Sequence, residues 1–130
     1  VASNVLDRVL FIPPVPVEEL MQVFNMADVC VYPDASSLSC LEAAACAKPV
    51  IVTDLPWGKE REAVGAALCY ETGNIDALTM KIRRLVSDRE TRESVGRRAL
   101  ESVMTHFSYD AVALKSEDLM KEAIGSFTRG

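Results

Sequence analysis

The sequence is poor in the residues that build metal, disulfide and membrane structures. It has one histidine, His106, and four cysteines, with no CxxC spacing and no histidine beside any of them. Zinc sites draw on such clusters, so no metal site is expected. Cys30, Cys40, Cys46 and Cys69 sit in apolar surroundings, where cysteine behaves as a small hydrophobe. A reducing, cytoplasmic setting is expected in consequence. No apolar run approaches membrane-spanning length, and the first residues lack a signal-peptide pattern. Basic residues number 14 against 19 acidic ones, and the pI is near 4.9. That balance argues against nucleic acid or an anionic membrane as the main partner, since both attract a basic field. Val1 stands in place of an initiating methionine, and a cloning or processing boundary is expected there.

What is present suits a single soluble domain over residues 1–130. With 49% hydrophobic and 25% charged residues, the chain is long enough to bury a core without cross-links. Its first half alternates strand and helix signals. Arg8-Val9-Leu10-Phe11-Ile12, stopped by Pro13, Pro14 and Pro16, reads as a buried strand entering a loop. Leu20, Val23, Phe24 and Ala27 follow with helical spacing. Val29-Cys30-Val31-Tyr32 is a second strand, Pro49-Val50-Ile51-Val52-Thr53 a third, and Ala67-Leu68-Cys69-Tyr70 a weaker fourth. Between the second and third, Ser36-Ser37 opens a helix carrying Leu38, Leu41 and Ala45. Strands that are apolar throughout and separated by single helices predict an α/β fold, with a parallel sheet of about four strands covered on both faces.

The second half is predicted helical. Asn74 is positioned to cap a helix with the stripe Ile75, Leu78, Ile82, Leu85 and Val86. Ser87 and Glu90 have capping-box spacing ahead of Val95, Ala99, Val103 and Phe107. Ser108 opens a last helix carrying Val112, Leu119, Ala123 and Ile124. Met21, Met26, Met80, Met104 and Met120 fit core positions on these helices, and Arg83-Arg84 and Arg97-Arg98 fit solvated faces. His106 suits a charge partner at a helix end.

Ligands of open parallel sheets bind beyond the carboxyl ends of the strands. The richest such end here is Tyr32-Pro33-Asp34-Ala35-Ser36-Ser37-Leu38-Ser39-Cys40-Leu41-Glu42. Small residues in the turn let backbone N–H groups approach a ligand, and the following helix offers its positive end, as a diphosphate requires. A carboxylate one turn into the helix, Glu42, is able to accept hydrogen bonds from vicinal ribose hydroxyls. The same residue also stands three after Ser39, so a capping box is an equally local reading. Trp57-Gly58, beyond the third strand, reads as a loop anchor or as a wall of the same cleft.

Ala27-Asp28-Val29 with Tyr32-Pro33, and then Leu41-Glu42-Ala43-Ala44-Ala45-Cys46-Ala47-Lys48-Pro49-Val50-Ile51, resembles the signature of the group-one retaining glycosyltransferases of GT-B fold. The similarity continues through Thr53-Asp54, Glu62-Ala63-Val64, the turn from Tyr70 to Ala77, Leu85-Val86-Ser87-Asp88 and Phe107-Ser108. It spans nearly the whole chain and is sharpest over residues 42–51.

The resemblance implies the Rossmann-like C-terminal half of such an enzyme. The parent reaction would transfer a sugar from a UDP-, GDP- or ADP-sugar to an acceptor hydroxyl with retention of configuration, with no separate cofactor and no metal. Glu42 is implied to hold the ribose, and the backbone of Ser36, Ser37 and Leu38 to face the diphosphate. Asp34 falls in register with a first glutamate that contacts the donor sugar. The loop from Pro33 to Glu42 is shorter than the family pattern, which leaves that equivalence open.

Ala47 replaces a glycine usual at that helix end; if its backbone is left-handed, it costs about 1 kcal/mol. Pro13 replaces a glycine that commonly follows the first strand. An Arg and a Lys that neutralise the leaving diphosphate, and the acceptor-binding N-terminal domain, are expected upstream of Val1, and any peripheral membrane contact would come through that domain. Arg8 reads as a surface residue rather than a substitute. The chain alone is expected to bind nucleotide weakly and not to turn over. An uncovered sheet edge would favour self-association as a homo-oligomer. Rival readings are a nucleotide-sugar epimerase of the same fold and a non-catalytic α/β binding or assembly module.

Overall fold

The computed structural model describes residues 3–33 and 37–127. Three strands, β1 (Cys30–Tyr32), β2 (Val50–Thr53) and β3 (Leu68–Tyr70), form a parallel sheet in that order. Tyr32 pairs with Val52, and Thr53 with Tyr70. A short α1 (Ser3–Leu6) and α2 (Val17–Met26) precede the sheet; α3 (Ser39–Ala45) joins β1 to β2, and α4 (Pro56–Val64) joins β2 to β3. Helices α5 (Ile75–Ser87), α6 (Arg89–His106) and α7 (Tyr109–Phe127) follow. The α/β, Rossmann-like class is as the sequence predicts.

The central strand shows why. Val50 and Val52 point into a core with Phe24, Cys40, Ala43, Ala44, Ala99 and Val103, and Ile51 points the other way against Tyr70 and Leu85. None of the three strand residues is more than 1% exposed. Full burial of each aliphatic side chain contributes about 1.5–3 kcal/mol, which is what holds helices on both faces.

The sequence reading needs correction at four places. Residues 8–12 form no strand; Leu10 and Phe11 are 81% and 85% exposed. None of the three strands pairs with this segment, and without a ladder a run of apolar residues is only an extended chain. Trp57 and Gly58, read as a loop anchor or cleft wall, lie within α4. Pro56 is a helix starter at the first position, and Gly65, with φ of 88°, closes the helix. Gly58 lies inside it because a β-carbon there would stand 2.0 Å from the Thr53 carbonyl oxygen. The cap of α6 is Asp88, whose Oδ1 accepts from the Thr91 N–H at 3.0 Å, since Ser87 is still the last residue of α5. The five methionines lie on or near helices as expected but are 61–73% exposed.

Elsewhere local signals hold. Asn74 caps α5 through the Ala77 N–H at 2.9 Å, and Ser108 accepts from Ala111. The α6 stripe of Val95, Ala99, Val103 and Phe107 packs on the core, whereas α7 has no buried residue. Among the described residues no helix is long and apolar enough to cross a membrane.

Candidate functional site

The three strands end at a common rim, and β1 feeds the turn singled out by sequence. Tyr32 donates its hydroxyl proton to the Ser39 carbonyl at 2.9 Å, fastening the first turn of α3 to the end of β1. Burial pushes this phenol up to about 12, partly opposed by the bond to Ser39, so it stays a donor at neutral pH. The Ser37 hydroxyl accepts from the Ser39 N–H at 3.1 Å and lies 2.7 Å from the Ser39 hydroxyl. The Leu38 carbonyl receives the N–H groups of Leu41 and Glu42 at 2.8 and 3.1 Å. The backbone N–H groups of Ser37 and Leu38 donate to nothing among the described residues, and Leu38 is 74% exposed. Asp34 and Ser36 lie outside the described residues.

Glu42 sits in the first turn of α3 with its side chain exposed. Among the described residues it forms neither a side-chain hydrogen bond nor an ion pair. The reciprocal bonds of a capping box with Ser39 are therefore not made, and α3 has no side-chain cap, Ser37 bracing the turn through the Ser39 N–H. Glu42 borders a groove of about 250 Å³ between α2 and α3, walled by Val17, Leu20, Met21, Phe24, Ala45 and Cys46. The Glu42 carboxylate is thus an acceptor beside an apolar slot between α2 and α3.

The neighbouring rim is braced. Asp54 accepts from the backbone N–H and hydroxyl of Thr72 at 2.9 and 2.8 Å, tying the loop after β2 to the loop after β3. Those two bonds hold its carboxyl below the usual carboxylate range. Glu62 accepts from the Cys69 N–H at 2.8 Å and so anchors β3. Trp57, in the first turn of α4, lies under the Arg61 guanidinium, with 4.7 Å from Cζ to the ring centroid. Arg61 is only 9% exposed. Sequence reasoning passed over it, because an arginine between Glu60 and Glu62 carries the signal of a solvated face.

Other hollows offer less chemistry. One of about 350 Å³ on the opposite rim holds Lys48, Arg89 and Arg92 with Asp28 and Glu93. There Arg89 is paired with Glu93 at 2.7 Å, and Arg92 binds the Leu85 and Val86 carbonyls as well as Asp28. Among the described residues no group of three or more His, Cys, Asp or Glu side chains is placed to hold a metal ion. All four thiols are free, and burial raises each of them.

Comparison with known proteins adds the context for this geometry. The family profile described as "Glycosyl transferases group 1" matches residues 2–102. Among curated proteins there is no match. Among solved structures the chain is similar to the sucrose-phosphate synthase from Thermosynechococcus elongatus, with a TM-score of 0.76 and 28% identity. The similarity covers 95% of this chain and 32% of that one, so the chain spans about a third of that protein's length. Because the family match takes in the whole sheet and the turn from Ser37 to Glu42, the chain belongs to the group 1 glycosyl transferases.

Proposed function

We propose that this chain supplies the donor-binding part of a retaining glycosyltransferase. The enzyme would move a sugar from a UDP-, GDP- or ADP-sugar to an acceptor hydroxyl. One observation carries the reading: Glu42, in the first turn of the helix that follows β1, is exposed and without a partner among the described residues. An ionised carboxylate accepts two hydrogen bonds side by side, which suits the vicinal hydroxyls of a ribose. The unused N–H groups of Ser37 and Leu38 would then meet diphosphate oxygens. Charge-assisted bonds of this kind are roughly twice as strong as neutral ones. Asp34 and Ser36 are assigned to the sugar and the diphosphate on the resemblance alone. The likeness to a sucrose-phosphate synthase supports sugar transfer as the reaction class. Acceptor binding would fall to a separate N-terminal domain.

Titration of UDP, GDP and ADP against the wild type and Glu42→Ala tests the proposal. Binding of at least one nucleotide is expected, with amide shifts at Ser37 and Leu38. Loss of a bond to a charged group costs about 1.5–3 kcal/mol. Affinity should therefore fall about tenfold or more in the variant. A wild type that binds none of the three, or a variant that binds equally well, overturns it.

A further inference from the structure

Glu42 stands on a short helix with little to fix its position. Helix α3 has seven residues and no side-chain cap. It meets the core through Cys40, Ala43 and Ala44, all fully buried. Small side chains set how closely a helix packs, but they interlock weakly against sliding or turning, because the ridges that resist both need bulk. Hydrogen bonds are directional and supply what that contact lacks.

Two such bonds close on one residue. Ser39, the first residue of α3, receives the Tyr32 hydroxyl on its carbonyl at 2.9 Å. Its N–H donates to the Ser37 hydroxyl at 3.1 Å. Tyr32 is the last residue of β1 and pairs with Val52, which is fully buried on the central strand. The tyrosine also packs on the core cluster that holds Cys40. Its ring has a fixed length, so the phenol is a strut from the sheet to the start of the helix. A phenylalanine would fill the same space; the hydroxyl adds only the bond to α3. Ser39 and Glu42 are three positions apart and so are neighbours on the helix surface. The turn that joins them is closed by the Leu41 and Glu42 N–H groups on the Leu38 carbonyl, so a shift of Ser39 carries Glu42 with it.

We propose that Tyr32 is a positioning residue of the donor site, its hydroxyl fixing α3 so that Glu42 meets the ribose hydroxyls of a nucleoside diphosphate. This rests on the donor-site reading above, and the experiment separates the two. Calorimetry compares UDP, GDP and ADP with their 2′,3′-dideoxy counterparts, so that the ratio of the two affinities reads the ribose contact alone. The wild type should prefer the hydroxylated form of at least one. Tyr32→Phe keeps the ring and should lower that preference about threefold to tenfold, the worth of one hydrogen bond. Glu42→Ala should abolish it, and adding Tyr32→Phe to Glu42→Ala should change nothing further.

An unchanged preference in Tyr32→Phe, whatever its melting temperature, overturns this inference and leaves the donor site standing. Equal weakening of both forms does the same, since that is the mark of a general loosening. A further loss of affinity in the double variant relative to Glu42→Ala also counts against it, because Tyr32 would then act elsewhere. A wild type that binds no nucleotide, or binds both forms alike, overturns the donor-site reading as well. If Tyr32→Phe does not fold, Ser37→Ala releases the other bond to the Ser39 backbone and should lower the same preference. An unchanged preference there refutes the role.

Discussion

The Ala47 carbonyl oxygen stands 2.1 Å from where a β-carbon on Gly96 would lie, so the turn that ends α3 rests directly on α6. The turn is left-handed at Ala47, with φ of 55°. The Lys48 N–H reaches back to the Ala43 carbonyl at 3.2 Å and the Ala47 N–H to Ala44 at 2.9 Å, the pattern of a Schellman motif. This stop aims the chain from α3, which carries Glu42, into the buried β2.

Substitutions at the two positions should act in opposite directions. Ala47→Gly relieves a left-handed alanine and is expected to stabilise by about 1 kcal/mol. Gly96→Ala drives a methyl group into backbone, for which overpacking costs of about 1–3 kcal/mol are usual. Urea denaturation of both variants measures the difference, and destabilisation by Ala47→Gly would contradict the strain argument.

Glu62→Ala should loosen β3. It removes the acceptor of the Cys69 N–H and leaves a buried strand donor unpaired, at a cost of about 1–3 kcal/mol. Glu62→Gln keeps an acceptor oxygen and should recover most of that loss. Hydrogen exchange at the Cys69 amide reads the effect directly, with faster exchange expected in Glu62→Ala.

Acid should weaken the clasp between the loops after β2 and β3. Bonds from Thr72 hold the Asp54 carboxyl below its ordinary value. A depressed folded pKa adds stability above the unfolded pKa of about 3.9, and that stability is lost as pH falls through the folded value. Unfolding midpoints at pH 7 and pH 3 should therefore differ less in Asp54→Asn than in the wild type. An unchanged difference would show that the Thr72 bonds carry no linkage.

The thiols should be inert while the chain is folded. Burial first, then the Glu62 and Asp54 charges, pushes Cys69 up to about 11, and burial also raises Cys40. At pH 8 little thiolate is present at either, and thiolate is the reacting species. A disulfide reagent should leave Cys40 and Cys69 unlabelled in native protein and modify all four cysteines in denaturant. Rapid native labelling of Cys69 would contradict its placement on β3.

Much of the candidate site was legible because its determinants are short-range. Glu42 lies in the first turn of the helix that follows β1, a relation set by local periodicity, and the turn around Ser37 is encoded by its own small residues. The left-handed Ala47 was foreshadowed only by the resemblance, through the glycine usual at that helix end. Arg61 was not legible. Its neighbours Glu60 and Glu62 gave it the look of a surface residue, and the opposite conclusion depends on Trp57 packing against its guanidinium.

The same division runs through the fold. The chain by itself determined the parallel strands β1 to β3 and the Asn74 and Ser108 caps, since strand runs and capping bonds involve residues a few positions apart. Only the tertiary structure decided that residues 8–12 stay unpaired, that Met21 and Met80 face outward, and that Arg61 is enclosed. Whether an apolar run becomes a strand, or a charge becomes buried, depends on the surface it meets, and that surface comes from distant parts of the chain.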